Sequence, residues 1–306
     1  MKNEVKFQLK FDDFDHFAEQ VGHTDMLHTQ LDGGFFNGVL TQVIHGPVIV
    51  STQKMNRTIL QEGVGVKGYT TFLIPGNMEQ DISWRKNRLT GNILGILHSN
   101  MEHSGITKSN LYATPVSIKE DFLMDTANLL GYPNFIKFIR DKETITIDVK
   151  YAQQIHQLVA FCCKHTSSDT SMLTYTIPKL IIKAISDSDP IDFFKKGNNR
   201  GIIFKKAQDI IHHNFEEPID ILSLCKEIGA SERNLRYAFK EFSGLPPNKY
   251  VRYFKLNKVR KVIRTGRVEK IIEAANQMGF WHTGQFAADY KKLFGEFPSS
   301  TKRYEV

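Results

Sequence analysis

Arg233, Arg236, Tyr237 and Lys240 are spaced so that one helix would carry all four on or beside the face opposite Leu235, Phe239 and Phe242. A guanidinium on such a face can donate two parallel hydrogen bonds to guanine O6 and N7, worth about 1–3 kcal/mol of discrimination. Lys240 offers a point charge to phosphate. Ser231 stands where a hydroxyl would cap the helix and lie beside the same backbone. This is the chemistry of recognition rather than of bond making. The chain holds no CxxC, HxH or HExxH spacing, no Ser/His/Asp or paired-carboxylate motif and no phosphate loop. No catalytic residue, metal site or cofactor is therefore expected.

The charge distribution agrees with that reading. The 306 residues carry a net +7, yet from Arg200 onward 20 Lys and Arg face 12 Asp and Glu, while residues 1–199 hold 20 against 21. The positive excess sits in the last third, as it would if one part of the chain met a polyanion. With 41% hydrophobic and 24% charged residues the chain has the composition of a soluble globular protein. No run of 18 apolar residues and no signal-like N-terminus occurs, so no membrane partner and a cytoplasmic location are expected. Cys162, Cys163 and Cys225 read as reduced, buried thiols.

The element that must position the four residues occurs twice. Leu235, Phe239, Lys240, Phe242, Gly244 and Pro247 match Phe286, Tyr290, Lys291, Leu293, Gly295 and Pro298 at a constant offset of 51. Upstream, DILSLCKEIG (220–229) matches KIIEAANQMG (270–279) at offset 50. Each copy has a short helix with apolar residues at i, i+3 and i+7 (Ile221, Leu224, Ile228; Ile271, Ala274, Met278), then a glycine turn and an amphipathic second helix. That is the anatomy of a helix-turn-helix. Cys225 and Ala275 are small where the two helices would cross. In the second copy Phe286, Tyr290 and Phe294, with Phe280, read as core, and Phe280 and Trp281 as shaping the turn. Residues 248–265 between the copies predict one long helix, with Arg252, Leu256, Val259 and Ile263 on one stripe and Lys255, Lys258, Arg260, Lys261 and Arg264 on its other faces.

The run from Ile203 to Arg303 resembles the DNA-binding domain of AraC/XylS-type transcription regulators, and the Gly279–Pro298 segment is similar to the subgroup containing ethanolamine-operon regulators. The resemblance implies a regulator, an activator in most such cases, with double-stranded DNA and RNA polymerase as partners. It also implies that Arg233, Arg236 and Tyr237 contact bases. In the second unit Thr283 and Gln285 are the base-directed candidates, and no arginine is on offer. Ser231, Lys240, Lys255, His282, Gly284, Lys291 and Lys292 are directed at phosphate.

The N-terminal part reads differently. Segments 36–41, 48–52, 57–61, 70–74, 81–84 and 93–97 are short, β-branched or aromatic, and separated by Gly, Pro or Asn. A helix precedes them near Asp13–Val21, and a helical pair follows at 149–165 and 170–186. The expected fold is α+β: a cupin-like N-terminal β-barrel or sandwich (about 30–115) with helices (about 118–186), a linker at 187–200, and an all-α domain (201–306) whose two helix-turn-helix units (about 219–243 and 269–294) are joined by the long helix. The N-terminal part would sense a small-molecule effector or make a homodimer, with Phe36, Tyr69, Phe72, Trp84 and His98 as candidate pocket residues. Two other readings stay open: a barrel enzyme with a DNA-tethering tail, and an interaction module for an acidic protein.

Overall fold

The structure, a computed structural model, describes residues 5–20, 27–75, 81–84, 87–165, 172–188, 199–268 and 270–301. Most of the expected linker, 189–198, lies outside them. Strands dominate the first half: β1 (Val5–Phe11), β2 (Leu27–Gln30), β3 (Gly38–His45), β4 (Val48–Met55), β5 (Ile59–Val64), β6 (Tyr69–Pro75), β7 (Asp81–Trp84), β8 (Asn87–Thr90), β9 (Ile93–Leu97), β10 (Glu102–Thr107), β11 (Leu111–Lys119) and β12 (Thr144–Thr146). They form a seven-stranded sheet in the order β1-β3-β4-β11-β6-β9-β12 and a five-stranded sheet in the order β2-β5-β10-β7-β8. Helix α1 (Phe14–Gln20) follows β1, while α2 (Glu120–Leu129), α3 (Phe135–Ile139), α4 (Val149–Lys164) and α5 (Ile177–Ser186) follow the sheets. Among the described residues no helix is long and apolar enough to cross a membrane.

The central strands of the seven-stranded sheet are covered on both faces, so β3 and β4 bury polar residues such as Gln42, Ser51 and Thr52 beside their apolar ones. Alternation along each strand divides the side chains between two cores. Val50 of β4, Phe72 of β6 and Ile118 of β11 pack with Leu123, Ile155 and Ile181 of α2, α4 and α5. The other face, with Leu40 of β3, Met55 of β4 and Leu111 of β11, joins Leu60 and Ile106 of the second sheet. The pair of C-terminal helices of this half thus covers the sheet's outer face. β1, whose alternating VKFQLKF pairs with β3 in register Val5 to Ile44, was no part of the expected barrel. It lies before the Gly-bounded segments on which the expected barrel rests, and β2, β8, β10, β11 and β12 likewise fall outside those segments.

Among the described residues six α-helices follow: α6 (Asn199–His213), α7 (Ile221–Ile228), α8 (Glu232–Ser243), α9 (Pro247–Arg264), α10 (Ile271–Gln277) and α11 (Thr283–Phe294). Their ends obey local rules. Asp220 caps α7 through the Ser223 amide at 2.8 Å, and Ser231 caps α8 through the Asn234 amide at 3.3 Å. Pro246 and Pro247 start α9, where no amide donor is needed. Gly229 closes α7 at φ 67°, with nothing within 4 Å of where a Cβ would stand. Gly229→Ala is therefore expected to cost only the left-handed backbone penalty, about 1–2 kcal/mol, read as a lower urea midpoint.

The core between the sheets does not end at the β domain. It runs on through Phe204 of α6, Phe239 of α8, Tyr250 and Phe254 of α9 and Phe294 of α11. Sheets and helix-turn-helix units are therefore packed together rather than strung apart.

Candidate nucleic-acid interface

Burial of one side of α8 exposes the other. Leu235, Ala238, Phe239 and Phe242 are buried, and Phe239 packs edge-on to Phe204 and Tyr250 at 5.0 and 5.2 Å. Arg233, Arg236, Tyr237 and Lys240 are left exposed on the same helix. The Arg233 guanidinium lies 5.6 Å from the Tyr237 ring centre, and that of Arg200, from the first turn of α6, lies 5.3 Å from it. Arg200 also pairs with Glu241 at 3.0 Å. Tyr237 thus gathers cations from two helices, and Arg200 carried no local signal because its neighbours are 33 or more residues away. Arg236 is held by Glu232 one turn earlier, at 2.6 Å. Both groups are exposed, so that pair is weak and an anionic ligand can replace it.

The second unit repeats the architecture with different chemistry. Phe286, Tyr290, Leu293 and Phe294 of α11 are buried, whereas His282, Thr283, Gly284 and Gln285 are exposed at its start. Gln285 is occupied: its amide donates to Asp289 at 3.1 Å, and Asp289 pairs with Arg252 of α9. Lys291 and Lys292 are exposed, with the Lys291 ammonium 4.3 Å from the centre of the Phe297 ring.

Two expectations need correction, and Lys255 gains a partner: half-buried, it donates to the Glu217 carbonyl at 3.0 Å and ties α9 to the loop before α7, and burial lowers its pKa. Arg260 and Arg264 are buried against the β domain and do not extend a basic face. Trp281 does not shape the turn from within, because it is 72% exposed.

The effector residues do not converge. Phe36 and Trp84 lie in the core shared with the helices, and Phe72 points to the opposite face of its sheet, toward α4 and α5. Tyr69 is half-buried at the start of β6. His98 bonds the Lys142 carbonyl at 3.1 Å and lines a cleft against α2 and α3. A one-residue change of register moves a side chain to the other face, and only pairing settles it.

What the β domain does grip is α9 and the ends of both reading helices. Asn257 of α9 exchanges hydrogen bonds with the backbone of Gln30 in β2, each 2.9 Å. The Gln30 side chain and the Gly34 amide both donate to the Leu293 carbonyl of α11, at 2.7 and 3.0 Å. Ser83 of β7 donates to the Phe242 carbonyl of α8 at 2.9 Å. Arg260 bridges Asp13 at 2.5 Å, Asp15 at 3.7 Å and Glu296, between the rings of Phe14 and Phe294, and Arg264 joins Asp13 as well. Burial would raise the Asp13 carboxyl, but the two guanidiniums hold it below the usual range. Asp15, desolvated and beside Asp13, is pushed up to about 6.

A family described as "Helix-turn-helix domain" matches residues 224–304. A probable AraC family transcriptional regulator from Rhodopseudomonas palustris is 30% identical, with 32% of this chain and 93% of that one aligned and a TM-score of 0.31. XylDLEGF operon transcriptional activator 2 of Pseudomonas putida is 31% identical over 130 residues, which cover 42% of this chain and 81% of that protein. The chain belongs to the AraC/XylS family of transcriptional regulators. The XylDLEGF operon transcriptional activator of the same organism is 30% identical over 129 residues, 42% of this chain and 39% of that protein. The match thus spans about two fifths of that longer AraC/XylS relative.

Proposed function

We propose that this AraC/XylS-family protein is a sequence-specific regulator of transcription, an activator that binds double-stranded DNA through α8 and α11 and acts on RNA polymerase. The observation that carries this reading is the pair of helix-turn-helix units, each with its apolar side packed and its polar side open, held at fixed separation by α9. One turn of duplex, about 34 Å, separates successive major grooves on one face, so two readers on one rigid helix suit adjacent grooves. Arg233, Arg236 and Tyr237, with Thr283 and Gln285, are assigned to bases. Ser231, Lys240, Lys255, His282, Gly284, Lys291 and Lys292 are assigned to the backbone.

The N-terminal β domain is the sensing and dimerisation part of this proposal. Its hold on α9 and on the last turns of α8 and α11 gives an effector or a second copy a direct route to the spacing of the readers. The similarity of Gly279–Pro298 to ethanolamine-operon regulators concerns the reader and names no ligand for the β domain.

The test is a salt-dependent titration of the full chain against genomic duplex fragments with non-specific competitor. One fragment should be selectively enriched, with affinity falling steeply as salt rises. On that fragment Arg233→Ala is expected to lose about 1–3 kcal/mol of discrimination at one base pair, whereas Lys240→Ala weakens all sequences alike and reduces the salt slope by about 1. Uniform binding by the parent and the Arg233 variant would refute base reading by α8.

A further inference from the structure

The two units differ most where the second helix begins. At the offset of 51 that aligns them, Ala230 corresponds to Trp281 and Ser231 to His282. Ser231 caps α8 with its hydroxyl, while His282 places no side-chain cap on α11. A Trp ring packed in a protein buries roughly 150–250 Å², yet Trp281 leaves 72% of its surface in water. Its neighbour Phe280 turns inward instead, 5.5 Å from Phe286. The ring therefore contributes little to the unit's core. It stands just before the exposed residues Thr283, Gly284 and Gln285, ahead of the helix whose last turn presents Lys291 and Lys292.

We infer that Trp281 is a specificity-determining DNA contact of the second unit, laying its ring against a thymine methyl and the adjoining sugar at the edge of the major groove. This rests on the regulatory reading above. Gln285 is held by Asp289, and the first turn of α11 carries no arginine. With only Thr283 and the Asp289-bonded Gln285 to offer polar contacts to bases, this helix gains discrimination from an apolar contact with the thymine methyl. Duplex DNA is the occupant that fits a lone apolar ring at the open start of a reading helix, on a domain with 20 basic and 12 acidic residues.

The chain's own fluorophores supply the test. It has two tryptophans, and Trp84 is 5% exposed, so iodide quenching in the free protein reports mainly Trp281. Adding the enriched duplex to the full chain should shift emission to the blue and reduce iodide quenching several-fold, more than a scrambled duplex of equal length does. Trp84→Phe should retain the whole response, and the unsubstituted chain supplies the same reading if that variant folds poorly. Trp281→Ala should weaken the enriched duplex about tenfold without changing the salt slope, since no charge is removed. Unchanged quenching in a complex that anisotropy shows to have formed would overturn this inference alone. Failure of every duplex to form a selective complex would overturn the regulatory reading and this inference with it.

Discussion

Replacing Arg260 with alanine should destabilise the protein by about 3–5 kcal/mol, the cost of taking from three partly buried carboxylates the guanidinium they share and leaving Arg264 alone against Asp13 and Asp15. The Arg260 side chain is 7% exposed and serves Asp13, Asp15 and Glu296 at once. No lysine could do this, because a single ammonium lacks the planar fork, so Arg260→Lys should recover little. The effect belongs to the pairing and not to the charge as such. Adding Asp13→Asn to Arg260→Ala should therefore return a substantial part of the loss, a coupling that a double-mutant cycle measures. Urea unfolding of the four proteins decides the matter. A single-variant loss below about 1 kcal/mol would place the cluster in the class of solvated surface pairs. Because the cluster joins α1 to α9, the same variant should also expose the seam between β domain and reader to protease before global unfolding.

The second large effect is a dependence on pH with two opposing parts. His28 of β2 is 7% exposed, neither ring nitrogen has a hydrogen-bond partner, and its ring meets Phe17 edge-on at 6.1 Å. Burial, and then the charge of nearby His103, pull its pKa down to about 3. A histidine kept neutral in the folded state loses stability as pH falls below its unfolded value near 6.5, by about 3 kcal/mol at pH 4.5. Asp15 works the other way: its pKa, raised to about 6 first by burial and then by Asp13, adds about 2 kcal/mol as pH falls from 7 to 4.5. The intact protein should therefore lose about 1 kcal/mol over this range from the pair. His28→Leu should gain about 2 kcal/mol over the same range, reversing the sign of the slope. Asp13, Glu62 and Asp220, whose folded values lie below their ordinary ones, give up their contributions mainly at lower pH. Parallel slopes for both proteins would mean that the His28 ring is hydrated.

The helical half was legible because its signals are local. The caps Asp220 and Ser231, the glycines that end α7, α8 and α11, and the 51-residue offset between the two copies all act within a few turns of where they stand. Residues facing outward on α8 were also legible, since burial of Leu235, Phe239 and Phe242 leaves Arg233, Arg236, Tyr237 and Lys240 outside. Arg200 was not, because its place beside Tyr237 depends on how α6 crosses α8. The five effector candidates do not line one cavity: Phe36 and Trp84 share the core that runs into the helices, whereas Phe72 faces α4 and α5. Phe36, just before β3, and Phe72 of β6 have similar chemistry, and only the tertiary packing sends them to different cores.

Arg260 marks the boundary between the two kinds of information. Its type and helical position follow from residues 248–265, where it is one cation among five off the apolar stripe. Its partner Asp13 lies 247 residues away, and nothing in either neighbourhood announces the other. Asn257 and Gln30 meet across 227 residues in the same manner. The sequence by itself determined the two helix-turn-helix units, the helix between them and the side chains they present, because helix period, capping and repetition are short-range properties. Only the tertiary structure decided that this reader is fastened to the β domain through buried charge, because packing selects which of several equally cationic faces is removed from water.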